Sequence, residues 1–371
     1  MKKYIGLSGI LILLLTVAAC GEATSSRTIT YYGLFPVSVS GKWGFIDKEG
    51  KAVIQPRFDH AYAFSATGFA AVVVGGKCGY VDRLGKLAIT PQFDTCSSFG
   101  ENGLAPVAMG GKWGWIDQLG KIAISPQFEK VVAFHEGFAG VQQDGKWGFV
   151  DKTGKFSVDP AFDYVAEYNQ GLAAVEFAGK WSYVDQGGKF SIKQQFERAS
   201  DFSPNGLAQV MAGGKYGYID RSGEFAIQPH YDLLDRYSGD LAAVQIGRKF
   251  GFVDKIGRLA IAAKFDDAEQ FQEGLAAVQI GEKSGYVDRT GMCVIKLQFD
   301  GGKAGPFDGA GLAVASLDGK LGYIDRKGKF VIKPQFDTAE KFSDDEIAQV
   351  NVDGKFGYID RQGKYIWNLQ N

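Results

Sequence analysis

The sequence is poor in the residues on which most site chemistry depends. Three histidines and four cysteines in 371 residues are too few for the usual zinc patterns, and no C-x-x-C pair occurs. Neither a structural metal nor a cofactor is expected. Charge of one sign is equally lacking: 41 basic and 42 acidic residues leave a net charge of −1, with no excess to condense on a phosphate backbone. This argues against a nucleic-acid partner. No G-x-S-x-G elbow, phosphate-binding G-x-x-x-x-G-K-[ST] loop or apolar run of about 20 residues is present. What the chain does have is 51 glycines, 13% aromatic and 45% hydrophobic residues, ample for a folded core.

The N-terminus reads as a targeting segment. Met1-Lys2-Lys3 is a positive start, and Ile5 to Leu15 is an apolar stretch too short to span a bilayer as a stable helix. Val17-Ala18-Ala19-Cys20 resembles the lipobox of bacterial lipoproteins. That resemblance implies a signal peptide over residues 1–19 and a diacylglycerol on the Cys20 thiol. Each buried acyl CH₂ contributes about 0.8 kcal/mol, so several chains hold a protein on a membrane almost irreversibly. Gly21 rather than Asp after the cysteine implies, by analogy with Gram-negative sorting, the outer membrane of a bacterial cell envelope. Residues 20–33 are then the lipidated cysteine and a polar tether.

The rest is self-similar. Gly41-Lys42-Trp43-Gly44-Phe45-Ile46-Asp47 returns as Gly76-Lys77-Cys78-Gly79-Tyr80-Val81-Asp82 and onward to Gly354-Lys355-Phe356-Gly357-Tyr358-Ile359-Asp360. Ten copies align, with aspartates at Asp47, Asp82, Asp117, Asp151, Asp185, Asp220, Asp254, Asp288, Asp325 and Asp360. They recur every 34 or 35 residues, except for 37 between Asp288 and Asp325, where Gly301 to Gly305 absorb an insertion. Each unit reads as three extended segments, such as Leu172–Phe177, Lys146–Asp151 and Lys155–Val158, joined by short turns with Asp and Gly at the places turns favour. A connector follows, as in Pro56 to Phe64. There Phe58, Ala61 and Phe64 recur every third residue, which predicts one helical turn at most, with Asp59 as its cap.

Gly-Lys-Trp-Gly-Phe-Ile-Asp, the x-x-Gly-Lys that follows, the Pro-x-Phe-Asp connector and the Gly-Leu-Ala-x-Val strand resemble the WG-repeat, or KWG-repeat, family across residues 34–371. The resemblance implies a tandem β-repeat and no general activity. Cys78, Ser284 and Leu321 depart from the Trp position and Ser182 from the second Gly. If that tryptophan bound a ligand in every unit, those units would be blank.

Structural readings outweigh chemical ones. The ten aspartates sit at turn starts, whereas calcium repeats crowd several oxygen ligands into one loop. His60, His135 and His230 fall at three different places in their units and form no pattern of a nucleophilic triad. Cys78 and Cys96 lie in adjacent segments of one unit, where a disulfide and small apolar roles are both open, leaving Cys293 unpaired. Trp43, Trp113, Trp147 and Trp181 recur at one site; packing between units is favoured over exposed stacking platforms.

The expected fold is therefore all-β, ten three-stranded antiparallel meanders over residues 34–371. An open, curved or superhelical array is favoured over a closed propeller, because no unit is split between the termini and propellers usually have four to eight blades. The expected function is a lipid-anchored, non-catalytic scaffold that binds another macromolecule of the envelope, protein or glycan, with Lys48-Glu49, Arg83-Leu84, Lys255-Ile256 and Arg326-Lys327 as contact sites. The alternative is glycan or peptidoglycan binding by exposed aromatics. For anchoring, Cys20→Ser should release the chain from membranes or leave it unprocessed; acyl labelling that survives the substitution contradicts the lipobox reading.

Overall fold

The computed structural model describes residues 33–234, 240–302 and 304–370. The expected signal peptide, Cys20 and most of its tether lie outside them. The described chain forms ten small antiparallel sheets, built from residues 35–58, 60–93, 95–128, 130–162, 164–196, 198–231, 233–265, 267–300, 313–336 and 338–370. They are numbered here as blades 1 to 10. Each comes from one continuous stretch of chain, and together they form a ring, a ten-bladed β-propeller. This corrects the open array favoured on sequence grounds.

Blade 2 shows how a unit is made. A two-residue strand, His60–Ala61, pairs with Phe69–Val74, which pairs with Lys77–Asp82, which pairs with Leu87–Phe93. The three long strands are the expected meander. The short fourth strand replaces the expected helical turn and is present in eight of the ten sheets, blades 1 and 9 having three strands among the described residues. The connector thus spans two sheets: Phe58 ends a strand of blade 1, and Ala61 sits in the first strand of blade 2. Asp59, between them, caps no helix. In blade 9 the expected insertion displaces the short strand, and Gly305 N–H donates to the Val314 carbonyl.

Side-chain alternation gives each sheet two unlike faces. In blade 2, Cys78, Tyr80, Ile89 and Phe93 lie together against Phe99, Ala105, Val107 and Ile116 of blade 3. Val81, one residue on from Tyr80, packs the other way with Ala70 and Val72 against Phe45, Ile54 and Phe58 of blade 1. A bulky face therefore meets a smaller one at each junction. Blades 5 and 6 repeat this with Tyr183, Ile192 and Phe196 against Ala208, Val210 and Ile219. Fully burying one such large side chain stabilises by roughly 1.5–3 kcal/mol, so no sheet holds its shape without a neighbour.

That requirement closes the ring. Blade 10 also ends on a bulky face, and its Tyr358 packs with Phe35, Val37 and Ile46 of blade 1, flanked by Ile366 and Trp367. The Tyr358 hydroxyl donates to the Pro36 carbonyl at 3.0 Å, as Tyr323 of blade 9 donates to Glu340 of blade 10 at 2.7 Å and Tyr80 of blade 2 to Ser97 of blade 3 at 2.7 Å. Burial pushes the pKa values of Tyr80 and Tyr323 far up, which keeps these donors protonated. Closure therefore rests on face-to-face packing, and no blade shared between the termini is needed.

Glycine serves two contacts of this packing. At Gly148, the second Gly of the recurring motif, an added Cβ would lie 2.8 Å from the Pro160 nitrogen, because the third strand crosses directly over it. At Gly188, a turn residue with φ +78°, a Cβ would lie 2.9 Å from a Val158 methyl of the preceding blade; Gly50 of blade 1 likewise packs on Ile366 of blade 10. Gly76 shares the backbone (φ +74°) with nothing within 4 Å. In urea unfolding, Gly76→Ala should cost about 1 kcal/mol of backbone strain, and Gly188→Ala roughly 1–3 kcal/mol more from overpacking. Equal losses would remove the packing role of the turn glycine.

Candidate functional site

Antiparallel alternation sorts the loops onto two ends of the ring. One end carries the tight turns between the first and second long strands, where residue pairs such as Ser40-Gly41 and Asp144-Gly145 both have positive φ, the requirement of a primed hairpin turn. It also carries the link into the next blade. There Lys42 Nζ meets Asp59 Oδ1 at 2.6 Å, and Asp59 Oδ2 accepts the Gly75 N–H at 2.6 Å. Lys77 with Asp94, Lys146 with Asp163 and Lys249 with Asp266 repeat the pair. The lysine hydrogen bond, then the glycine N–H, holds the Asp59 carboxyl below the usual range. These pairs are exposed and individually weak, but they occupy the polar groups of the hairpin end.

The opposite end carries the Asp-x-x-Gly turns and the connectors. Asp82 Oδ1 accepts the N–H groups of Leu84 and Lys86 at 3.0 and 2.9 Å, and Gly85 N–H closes the turn on the Asp82 carbonyl. All ten recurring aspartates make this arrangement. In blade 4 the Thr153 hydroxyl joins it and lowers the Asp151 pKa. The turn role expected for these carboxylates is what the structure shows.

The two residues between Asp and Gly behave differently. The first commonly reaches a connector. Arg221 donates to the Gln170 carbonyl at 2.6 Å, and Arg326 donates to the Glu273 carbonyl at 3.0 Å while lying over the Phe307 ring. Lys255 and Arg289 both pair with Asp240. Two of the expected contact pairs, Lys255-Ile256 and Arg326-Lys327, thus have a first member already tied to the framework. Arg361 takes this furthest: it meets Asp308 at 3.1 Å with the two side chains 14% and 5% exposed, and lies over the Phe342 ring. The second turn residue stands at the tip. Leu84 and Leu119 are each 88% exposed and Ile256 is 62% exposed, while Glu49, Lys327 and Gln362 occupy the same place in blades 1, 9 and 10. In sequence the first position is Lys, Arg or Gln in every unit and the second is varied, but residue type does not show which partner the first one reaches.

At the seam between blades 10 and 1, a groove of about 180 Å³ opens on this loop end, lined by Lys48, Glu49, Asp345, Glu346, Arg361 and Gln362 among others. Glu346 has φ +64° where Gly68, Gly103 and Gly171 end other connectors. Asp345 Oδ2 accepts the Gly33 N–H at 3.1 Å, so the chain joins the ring on this end.

The other candidates are framework. Trp147 is buried, Trp43, Trp113 and Trp181 half-buried, and Tyr164 sits between Trp147 and Trp181 with ring planes tilted by 57° and 53°. Packing between blades, as expected, orders these rings, and they form no coplanar platform. His60 lies edge-on to Trp43 and Tyr62, with burial lowering its pKa. His135 Nδ1 is 2.5 Å from the Tyr168 carbonyl, and His230 is exposed. Cys78 and Cys96 form a disulfide, which joins blade 2 to blade 3 where the sequence reading placed both in one unit; Cys293 is an exposed thiol. Among the described residues no group of three or more His, Cys, Asp or Glu is placed to hold a metal.

The model of the WG containing repeat matches nine tandem segments: 43–78, 79–113, 113–147, 147–181, 181–216, 216–250, 250–283, 285–320 and 322–356. No curated protein matches the sequence. Among solved structures, a eukaryotic initiation factor is similar in fold, with a TM-score of 0.54 at 11% identity, covering 91% of this chain and 96% of that one. Hsv2p of Kluyveromyces lactis matches more loosely, with a TM-score of 0.35 at 13% identity over 66% of this chain and 88% of its own. At such identities the first likeness concerns fold alone, and the second carries no argument.

The Arg361 and Asp308 pair gives a sharp contrast with the exposed pairs. Asp308→Ala strands a buried guanidinium and should cost about 3–5 kcal/mol, whereas Lys146→Met should cost under about 1 kcal/mol. Urea denaturation of the two variants measures both; similar small losses would mean that Arg361 finds water when its partner is removed.

Proposed function

The chain belongs to the WG-containing repeat family, and we propose that it acts as a non-catalytic binding scaffold, anchored in a bacterial envelope membrane through an acylated Cys20. The observation that carries the scaffold reading is the division of labour in the Asp-x-x-Gly turns. Aspartate and glycine are consumed by the fold and several first turn residues are tied to connectors, while the tip residue varies around the ring and carries side chains such as Leu84, Ile256 and Lys327 outward. A ring of such tips offers several weak contacts to one partner, which add through effective concentration. The buried Cys78 and Cys96 disulfide supports an oxidising compartment such as the envelope. The packed, tilted tryptophans favour a protein partner over a glycan.

Affinity capture from envelope extract tests this with the full chain and an Ile256→Asp, Lys327→Glu variant. The expected result is one reproducible set of proteins held by the parent chain and lost by the variant. Retention of polysaccharide alone would favour the glycan reading, and protein capture indifferent to both substitutions would move the contact surface off the loop end.

A further inference from the structure

The loop end is not uniform around the ring. In blades 2 and 3, adjacent in the ring, both turn tips are leucines at 88% exposure, and each is followed by a basic residue and another exposed apolar side chain. Leu84, Lys86 and Leu87 form one set, with Leu87 40% exposed; Leu119, Lys121 and Ile122 form the next, with Ile122 39% exposed. Arg83 stands exposed beside Leu84. None of these apolar groups is needed by its turn, whose hydrogen bonds are made by backbone N–H groups and the aspartate. Apolar tips flanked by Lys and Arg are the composition that settles at the boundary between headgroups and acyl chains.

A second observation places this patch. The described chain begins at Gly33, whose N–H is held by Asp345 of blade 10 on the same loop end. Blades 10, 1, 2 and 3 are consecutive around the closed ring, so the attachment point and the leucine tips belong to one sector. Only residues 21–32 separate Gly33 from Cys20. Fully extended, twelve residues reach about 40 Å, so an acyl group on Cys20 keeps this sector close to the bilayer. The blade 7 tip, Ile256, lies on the same end in a different part of the ring.

We propose that the loop ends of blades 2 and 3 rest on the lipid surface, with Leu84 and Leu119 entering the headgroup boundary and Arg83, Lys86 and Lys121 meeting anionic headgroups, while the acidic groove of Glu49, Asp345 and Glu346 beside the attachment point stands back from them. The ring then stands tilted, which leaves the tips of blades 7 and 8, across the ring, clear for a protein partner. This orientation rests on the anchoring proposed above.

The test uses the full acylated chain, reconstituted into vesicles of phosphatidylethanolamine and phosphatidylglycerol that carry a spin-labelled quenching lipid. In a Cys293→Ser background, an environment-sensitive fluorophore is attached at Leu84→Cys, at Ile256→Cys on the same end, or at Val74→Cys beside the opposite, hairpin end. All three native side chains are exposed. Quenching at position 84 should exceed that at 74 and at 256 by at least severalfold. An acylated, vesicle-bound chain with equal quenching at 74 and 84 overturns the orientation and leaves anchoring intact. Quenching at 256 equal to that at 84 overturns the sector assignment. A mass spectrum lacking the acyl group on Cys20, with the chain free of vesicles, overturns the anchoring itself and the orientation with it.

Discussion

The structure depends on one constraint: a small sheet with a bulky face and a smaller face has no place to bury either except against another copy. Tyr80 and Val81, consecutive in one strand, are both fully buried, yet they serve opposite neighbours. Repeated along the chain, this leaves the bulky face of blade 10 and the small face of blade 1 without partners unless they meet. They do meet, through Tyr358, Phe35, Val37 and Ile46, and the ring follows. The ten blades exceed the four to eight usual for propellers. Closure needs no strand exchanged between the ends, since the ordinary junction already provides the contact.

The same economy governs the polar groups. Each unit carries one aspartate that organises its own turn and, in most units, a second carboxylate that links a lysine of one blade to the hairpin of the next, as Asp59 links Lys42 to Gly75. With the recurring charges so engaged, a substitution at a turn tip touches little of the framework. Substitutions inside the framework are absorbed locally. Where the tryptophan position holds Cys78, a disulfide to Cys96 spans the junction; where it holds Ser284, the hydroxyl donates to the Asp300 carbonyl at 2.9 Å; Leu321 packs against the core shared by blades 9 and 10. Leu321 packs as Tyr216 and Phe250 do at the same position, while the disulfide and the serine hydrogen bond are local solutions, which explains how the motif varies while the architecture does not.

The connector shows where reading a sequence misleads. Phe58, Ala61 and Phe64 have the spacing of a helical turn, but the first closes one sheet, the second opens the next, and the third lies in a loop packed on Phe45. The chain crosses a blade boundary at Asp59, and the recurring Pro-x-Phe-Asp marks that point without showing that it separates two sheets. The partner reached by the basic residue after a turn aspartate is hidden for a related reason. Arg221 and Arg326 are held by carbonyls 51 and 53 residues earlier in the chain, far beyond any window in which residue type predicts partners.

Alternation along strands, Asp and Gly at turns, the length of each unit and the number of units are short-range properties. The sequence by itself determined them, because the chemistry involved acts within a few residues. Tertiary structure decided which face meets which, that the last blade packs on the first, that Cys78 and Cys96 bridge two sheets, and that Leu84 and Leu119 share a sector with the attachment of the chain at Gly33. Those outcomes rest on contacts between residues from 17 to more than 300 positions apart, whose partners are fixed only once the ring has closed.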